Sequence, residues 1–377
     1  MANANDRLDS QADHTARGIM STLVPDLVPD VAPRARDAVT MSMSRAHRME
    51  TCPRQEWWHT QGARGGWTAT ADATVREAWA CRCATSLHAV LGQAVHEAAA
   101  MIARALRDGR RPPPYDVLLT HVRGQLARVW RARDAVAFRQ RPTRGGFLLE
   151  RLHGGDVSEE TVATVRVRLP AVLRRLVTHP VWDHVRACGR GDIVVVDALD
   201  ALLVELPDGP VQLYCAPDLV YVSRAPLEVP DLGVPVPAGA PVLVDWKTGA
   251  AGDALDQLAL YAYYARERLR LPAGSLGYVG RVGALHAAVD DPVGGQVVVI
   301  GDAAIARVRG LVERRAAQVR AWTGPDGQLD RDRMPTVATA CRFCPFTILC
   351  DAAAAEHASS RTVADHAHAE AEAAMRA

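Results

Sequence analysis

A chain of 377 residues that is 49% hydrophobic can form one large domain or two ordinary ones around a sizeable core. Its formal net charge of +1 excludes a bulk attraction for nucleic acid, so any basic surface must be local. No apolar run reaches the length of a membrane span and no apolar leader follows Met1, so a soluble, cytoplasmic protein is expected. Its eight cysteines are then read as metal ligands or buried thiols rather than a disulfide framework.

Residues 1–40 are rich in Ala, Asp and Pro without a sustained period and read as a disordered tail, with one short apolar turn near Met20–Leu27. Ordered structure is expected from Met41. The segment SMSRAHRMETCPRQEWW predicts a short helix ending at Cys52-Pro53 and then an aromatic stretch, with a loop over Gly62–Gly66. Helical spacing over 75–107 puts Leu91, Val95, Ala98, Ala99 and Ile102 on one stripe, with His96 beside it. Arg110 to Pro114 breaks that helix. A second helix is predicted over Val117–Phe138. Arg123, Arg128, Arg131, Arg133, Arg139, Arg141 and Arg144 mark this region as a DNA-guiding surface or an ordinary solvated face. A third helix spans 158–187. The period then changes: Asp192–Leu206, Val211–Val222 and Pro241–Lys247 read as three strands, joined by the turn Pro207–Pro210 and a Pro-rich loop over Ser223–Ala240. A helix over Asp253–Leu269, strands over Leu276–Leu285 and Gln296–Ile300, and a helix over Ala303–Trp322 follow. The Ala/His/Glu segment from about Ala354 reads as a frayed helix or tail.

The chemistry centres on PVLVDWKTG. Its Lys247 is the sole lysine among 44 basic residues. On a strand, Asp245 and Lys247 point to one face. Asp218 ends the preceding strand stretch, so two carboxylates and an ammonium can meet. With a main-chain carbonyl the carboxylates suit Mg²⁺ or Mn²⁺. The plainer alternative makes Asp218 a strand-end turn residue and Lys247 an edge lysine. Gln257 and Tyr261, four apart on a helix, share a face and either overlook the site or form a surface pair. His96 within an apolar helix fits a buried core histidine as well as a ligand. Cys341-x2-Cys344-x5-Cys350 places three thiols within ten residues. Cys52 is the choice for a fourth ligand, and the spacing suits a [4Fe–4S] cluster better than a zinc ribbon, whose second paired motif is missing. Cys81 and Cys83 are too close for a usual metal pair and, like Cys188 and Cys215, read as packed thiols.

In this order, the segments SMSR…CPR, GQAVHE, APDLV, LVDWKTG, QLALY and CRFCPFTILC resemble the RecB-like branch of the PD-(D/E)XK nucleases. Within it, the pattern is similar to the iron–sulfur members, AddB-type nuclease domains and CRISPR-associated exonucleases. The resemblance implies a restriction-endonuclease-like α/β core over 41–351, a mixed αβββαβ sheet flanked by helices, with a mostly helical insertion at 97–190. A C-terminal cluster-binding segment at 335–351 would close onto Cys52, with a tail over 352–377. It further implies that His96, Asp218, Asp245 and the carbonyl of Trp246 bind Mg²⁺ or Mn²⁺. Lys247 would position or activate water, and Gln257 and Tyr261 would touch substrate or brace the site. Cys52, Cys341, Cys344 and Cys350 would hold a [4Fe–4S] staple, with Zn²⁺ as the alternative occupant. The implied function is a metal-dependent DNA nuclease, an exonuclease on single strands or ends in repair, recombination or defence, alongside a helicase or another protein of such a pathway. The alternatives are a DNA-end-binding or assembly subunit with little cleavage, and a zinc-stapled interaction protein. Two departures stand out: Cys215-Ala216-Pro217 where a Gly often precedes the first Asp, and Trp246 where Tyr or Phe is commoner.

Overall fold

The computed structural model describes residues 38–224, 226, 237–248, 254–272, 274–282 and 294–351. Residues 1–37 of the expected tail, the segment 352–377 and the last three residues of the expected strand 276–285 lie outside the described residues.

Strand β1 (Val39–Met41) opens the described structure, two residues before the expected onset. Ser42 then caps helix α1 (Met43–Thr51) by accepting the Arg45 N–H at 3.2 Å. Proline is costly in a helix interior but suits a first turn. Pro53 therefore starts a new helix, α2 (Pro53–Trp57), and the aromatic stretch continues into a π-turn over Trp58–Gly62 rather than lying outside helix. The helix expected over 75–107 is two helices. Asp72 caps α3 (Ala73–Cys83) and Ser86 caps α4 (Leu87–Arg107). At the break, the Thr85 N–H donates to the Phe147 carbonyl. The helix expected over 117–138 also divides, into α5 (Tyr115–Arg131) and α6 (Ala135–Gln140), because Asp134 takes the cap position and accepts two backbone N–H groups. Short α7 (Leu149–Leu152), long α8 (Glu159–Val177) and α9 (Val181–Ala187) complete the helical block.

Each of the first two expected strands is likewise two strands: β2 (Ile193–Val196) and β3 (Asp200–Val204), then β4 (Val211–Cys215) and β5 (Leu219–Val222). The chain bends at Asp197, whose φ of 45° lies in the left-handed region that Asp tolerates better than its β-branched neighbours. It bends again at Ala216-Pro217-Asp218, where Pro removes a ladder donor. The two halves of each run enter different sheets. The smaller has the order β1-β4-β3; the larger, β2-β5-β6-β7-β8, includes β6 (Pro241–Lys247), β7 (Ser275–Arg281) and β8 (Gly294–Ile300). Helix α10 (Leu255–Glu267) connects β6 to its parallel neighbour β7, while the other pairs of the larger sheet are antiparallel. Helix α11 (Asp302–Trp322) follows β8. The fold is mixed α/β, and none of the described helices is long and apolar enough to cross a membrane.

Strand β6 is the hub of the larger sheet. Val242, Val244 and Trp246 pack into one apolar layer with residues of α4, α8 and α9, while Leu243 packs with α10 and α11. The Trp246 ring stacks on Trp182 at 5.2 Å between centroids, and His179 meets it edge-on. Gly280, its register partner on β7, makes room: a Cβ there would lie 2.4 Å from the Trp246 ring. With Trp246 committed to that layer, strand alternation turns Asp245 and Lys247 toward α10.

The two ends of the described chain are tied directly. Arg54 donates its backbone N–H to Pro335 O and its side chain to Met334 O, both at 3.1 Å. Trp57 Nε1–H donates to Leu329 O at 2.9 Å. Behind this seam, Glu56 is fully buried with each oxygen 2.8 Å from an arginine, Arg45 and Arg48.

Candidate active site

The ends of β5 and β6, one turn of α4 and the first turns of α10 converge on one polar network. Asp245 is almost completely buried. Its Oδ1 accepts from Gln257 Nε2 at 2.9 Å, and its Oδ2 lies 2.7 Å from Lys247 Nζ, an ion contact without hydrogen-bond geometry. Lys247 Nζ donates to Gln257 Oε1 at 3.0 Å. Gln257 Nε2 also donates to Tyr261 Oη at 2.8 Å, and the Tyr261 hydroxyl donates to Ala216 O at 3.1 Å. A single amide thus ties the carboxylate, the ammonium and the phenol together. Its carbonyl faces the lysine and its NH₂ faces the acid.

Asp218 lies in the bend immediately before the adjacent strand, β5. Its Oδ1 is 3.0 Å from His96 Nδ1 and its Oδ2 accepts the Trp246 N–H at 2.8 Å. Gly92, one turn before His96 on α4, lets the Thr248 hydroxyl approach to within 3.3 Å of where a Cβ would stand, so α4 sits close against the end of β6. The structure therefore places His96, Asp218, Asp245, Trp246, Lys247, Gln257 and Tyr261 in one neighbourhood, with Trp246 contributing its backbone while its ring is buried behind the sheet.

The electrostatics follow from burial. Desolvation drives the Asp245 carboxyl above its usual range; Lys247 opposes this and Asp218 adds to it. Burial alone would depress His96, but the hydrogen bond and charge of Asp218 outweigh it, and Asp245 contributes in the same direction. Burial also raises the Tyr261 hydroxyl, which keeps it a neutral donor. The buried Asp245 carboxylate, together with a second carboxylate and an imidazole, is chemistry suited to a hard divalent cation. Even so, no three His, Cys, Asp or Glu side chains among the described residues already converge as a ligand set. His96 is engaged with Asp218, and Asp245 with Lys247 and Gln257.

The family model of the PD-(D/E)XK nuclease superfamily matches residues 40–351. The chain belongs to the PD-(D/E)XK nuclease superfamily. Its members are generally metal-dependent nucleases that use Mg²⁺ or Mn²⁺ and act on DNA. Pro217-Asp218 and Asp245-Trp246-Lys247 both lie within the matched range. No curated protein matches the chain. One matching solved structure, titled "Crystal structure of SSO0001", is 9% identical, covers 54% of this chain and 92% of its own, and has a TM-score of 0.23, too low to carry any argument.

Two residues outside the sequence-based set belong to this neighbourhood. The Asp197 N–H donates to Asp218 O at 3.0 Å, and Asp197 Oδ2 accepts from Arg104 Nη2 at 2.9 Å. The only signal for Asp197 was an acid ending a β-branched run, and Arg104 carried none. The four candidate cluster cysteines, Cys52, Cys341, Cys344 and Cys350, line one pocket together with Arg54 and Trp58, but no three of them form a metal-ligating group among the described residues. Burial pushes the Cys344 thiol up to about 12, and the neighbouring Cys52, Cys350 and Cys341 add to the rise. Cys81, Cys83 and Cys215 are buried, whereas Cys188 is only half-buried and donates its S–H to His184 O.

Proposed function

We propose that this nuclease is a metal-dependent deoxyribonuclease, an exonuclease acting on single strands or DNA ends in the cytoplasm, within a repair, recombination or defence pathway and beside a helicase or similar partner. The observation that carries this reading is the Lys247–Gln257–Asp245 network set beside Asp218 and His96. In it His96, Asp218, Asp245 and the Trp246 carbonyl would hold Mg²⁺ or Mn²⁺, which when bound supplies charge stabilisation to a phosphoryl oxygen and acidity to water. Lys247 positions the attacking water and stabilises charge developing on the phosphate. Gln257 fixes the ammonium against Asp245, and Tyr261 fixes Gln257 against the backbone of Ala216.

On the same reading, Cys52, Cys341, Cys344 and Cys350 hold a [4Fe–4S] cluster, with zinc as the alternative. Support comes from their shared pocket and from the Cys344 thiol, which burial holds protonated until a cation displaces its proton. One observation favours a second reading, a DNA-end-binding or assembly subunit with little cleavage: the candidate ligands are paired with one another and do not converge as a set among the described residues. Anaerobic purification, iron and zinc analysis, and degradation of end-labelled DNA with Mg²⁺ or Mn²⁺ separate these readings. The proposal requires metal-dependent release of nucleotides, with iron on the cysteines for the cluster or zinc for its alternative. Tight DNA binding without turnover under any divalent cation supports the second reading instead.

A further inference from the structure

Helix α4 leads away from the candidate site. His96 touches Asp218, and Arg104 lies eight residues further on, about 12 Å along the axis at about 1.5 Å per residue. Arg104 meets Asp197, whose N–H holds the Asp218 carbonyl. From Arg104 an open groove continues along Ala105, Arg110, Arg111 and Pro112 to Pro114. The prolines fix the φ angles of its wall. At its outer end, Gly109 has a φ of 67° and carries the Arg190 guanidinium against its backbone, 2.0 Å from where a Cβ would stand. Asp108 is the acid here, and it is shared by Arg107 at 3.7 Å and Arg110 at 2.5 Å. Arg111 and Arg190 are exposed and have no ionic partner among the described residues. Arg111 in the groove wall and Arg190 beside it at Gly109 are therefore left to meet an anion, and the inner end of the groove, Arg104, touches Asp197 next to Asp218.

We propose that this groove binds the sugar–phosphate backbone of the single DNA strand whose end occupies the candidate active site, with Arg111 and Arg190 contacting phosphates. The inference rests on the nuclease reading for its ligand, but its test does not depend on cleavage. A stacked strand rises about 3.4 Å per nucleotide, so the groove begins three to four nucleotides from the site. Each phosphate contact to a single strand contributes about 0.7 to the slope of log K against log salt. Losing two contacts should lower the slope by about 1.4 and weaken binding about tenfold at 0.15 M salt.

The experiment compares the full-length wild type with the double variant Arg111→Ala/Arg190→Ala. Fluorescence anisotropy without divalent cations is measured with a strand of about 20 nucleotides, longer than the usual site of about 4–16, and nuclease assays use the same strand and a trinucleotide. The expected result is about tenfold weaker binding and a shallower salt slope, with KM raised only for the long strand and kcat unchanged. An unchanged affinity and slope, or no binding by wild type, overturns the groove even if the wild type cleaves DNA. A wild type that never cleaves, yet loses affinity in the variant, leaves the groove standing and removes the nuclease reading.

Discussion

Gln257 should be worth about two orders of magnitude in turnover although it carries no charge. Replacing it with alanine removes three hydrogen bonds: from Lys247 Nζ at 3.0 Å, to Asp245 Oδ1 at 2.9 Å and to Tyr261 Oη at 2.8 Å. Two of the three involve a charged partner, and such bonds contribute about 1.5–3 kcal/mol each. Taking the lower value for both gives about 3 kcal/mol, or about 150-fold in rate if it is lost wholly in the transition state. The loss should appear in kcat, because Gln257 holds Lys247 and Asp245 in register and does not itself anchor the strand. Steady-state cleavage of a labelled strand, with circular dichroism melts to confirm folding, reads this out. Tyr261→Phe, which loses two neutral bonds, from Gln257 and to Ala216, should cost less: at the lower value of about 0.5 kcal/mol each, about 1 kcal/mol or about fivefold. A folded Gln257→Ala protein with kcat within threefold or so of wild type would refute the idea that the amide aligns acid and ammonium.

Glu56→Ala should destabilise the fold by about 3–5 kcal/mol in urea titrations, because it leaves Arg45 and Arg48 facing a buried vacancy beside Cys52. Gly280→Ala should cost about 1–3 kcal/mol by driving a methyl into the Trp246 ring, and should also lower kcat by displacing the strand that carries Asp245 and Lys247. His179 is held at about 4 by burial, so between pH 6.5 and 4 the unfolded chain takes up a proton that the folded chain refuses. Stability is therefore lost as pH falls through that window. His179→Phe should flatten this dependence relative to wild type by about 2 kcal/mol, discounted for residual solvent screening, in denaturant melts at the two ends of the range.

Residue spacing made much of the site legible. Asp245 and Lys247 sit two apart on β6, and Gln257 and Tyr261 four apart on α10, so local periodicity alone puts each pair on one face. The strand breaks were not legible. DIVVVDALDALLVEL has no Gly or Pro to mark a corner, and only the backbone of Asp197 reveals that β2 and β3 belong to different sheets. That hidden corner is also what brings Asp197 to Asp218 and Arg104. The helix breaks at Ser86 and Asp134 were written in cap residues, but the apolar period ran through them. The Arg-rich run is mostly surface: Arg123, Arg128, Arg131, Arg133, Arg141 and Arg144 are exposed, and Arg139 is the exception. Within the Arg-rich run, Arg139 pairs with Glu77 and the Leu152 carbonyl. The groove beside α4 is lined by Arg104, Arg110 and Arg111, with Arg190 next to it at Gly109, all outside that run. Contacts between distant segments decide such roles, and a single sequence does not display them.

Lys247 bears the central claim. Single-turnover cleavage of end-labelled DNA with Mn²⁺ or Mg²⁺, by wild type and by Lys247→Ala, tests it most directly, with DNA affinity measured in parallel without divalent cations. The expected result is metal-dependent cleavage by wild type, and in Lys247→Ala a fall of about a hundredfold or more with DNA affinity nearly unchanged. Equal cleavage by the two proteins would contradict the assignment of the site.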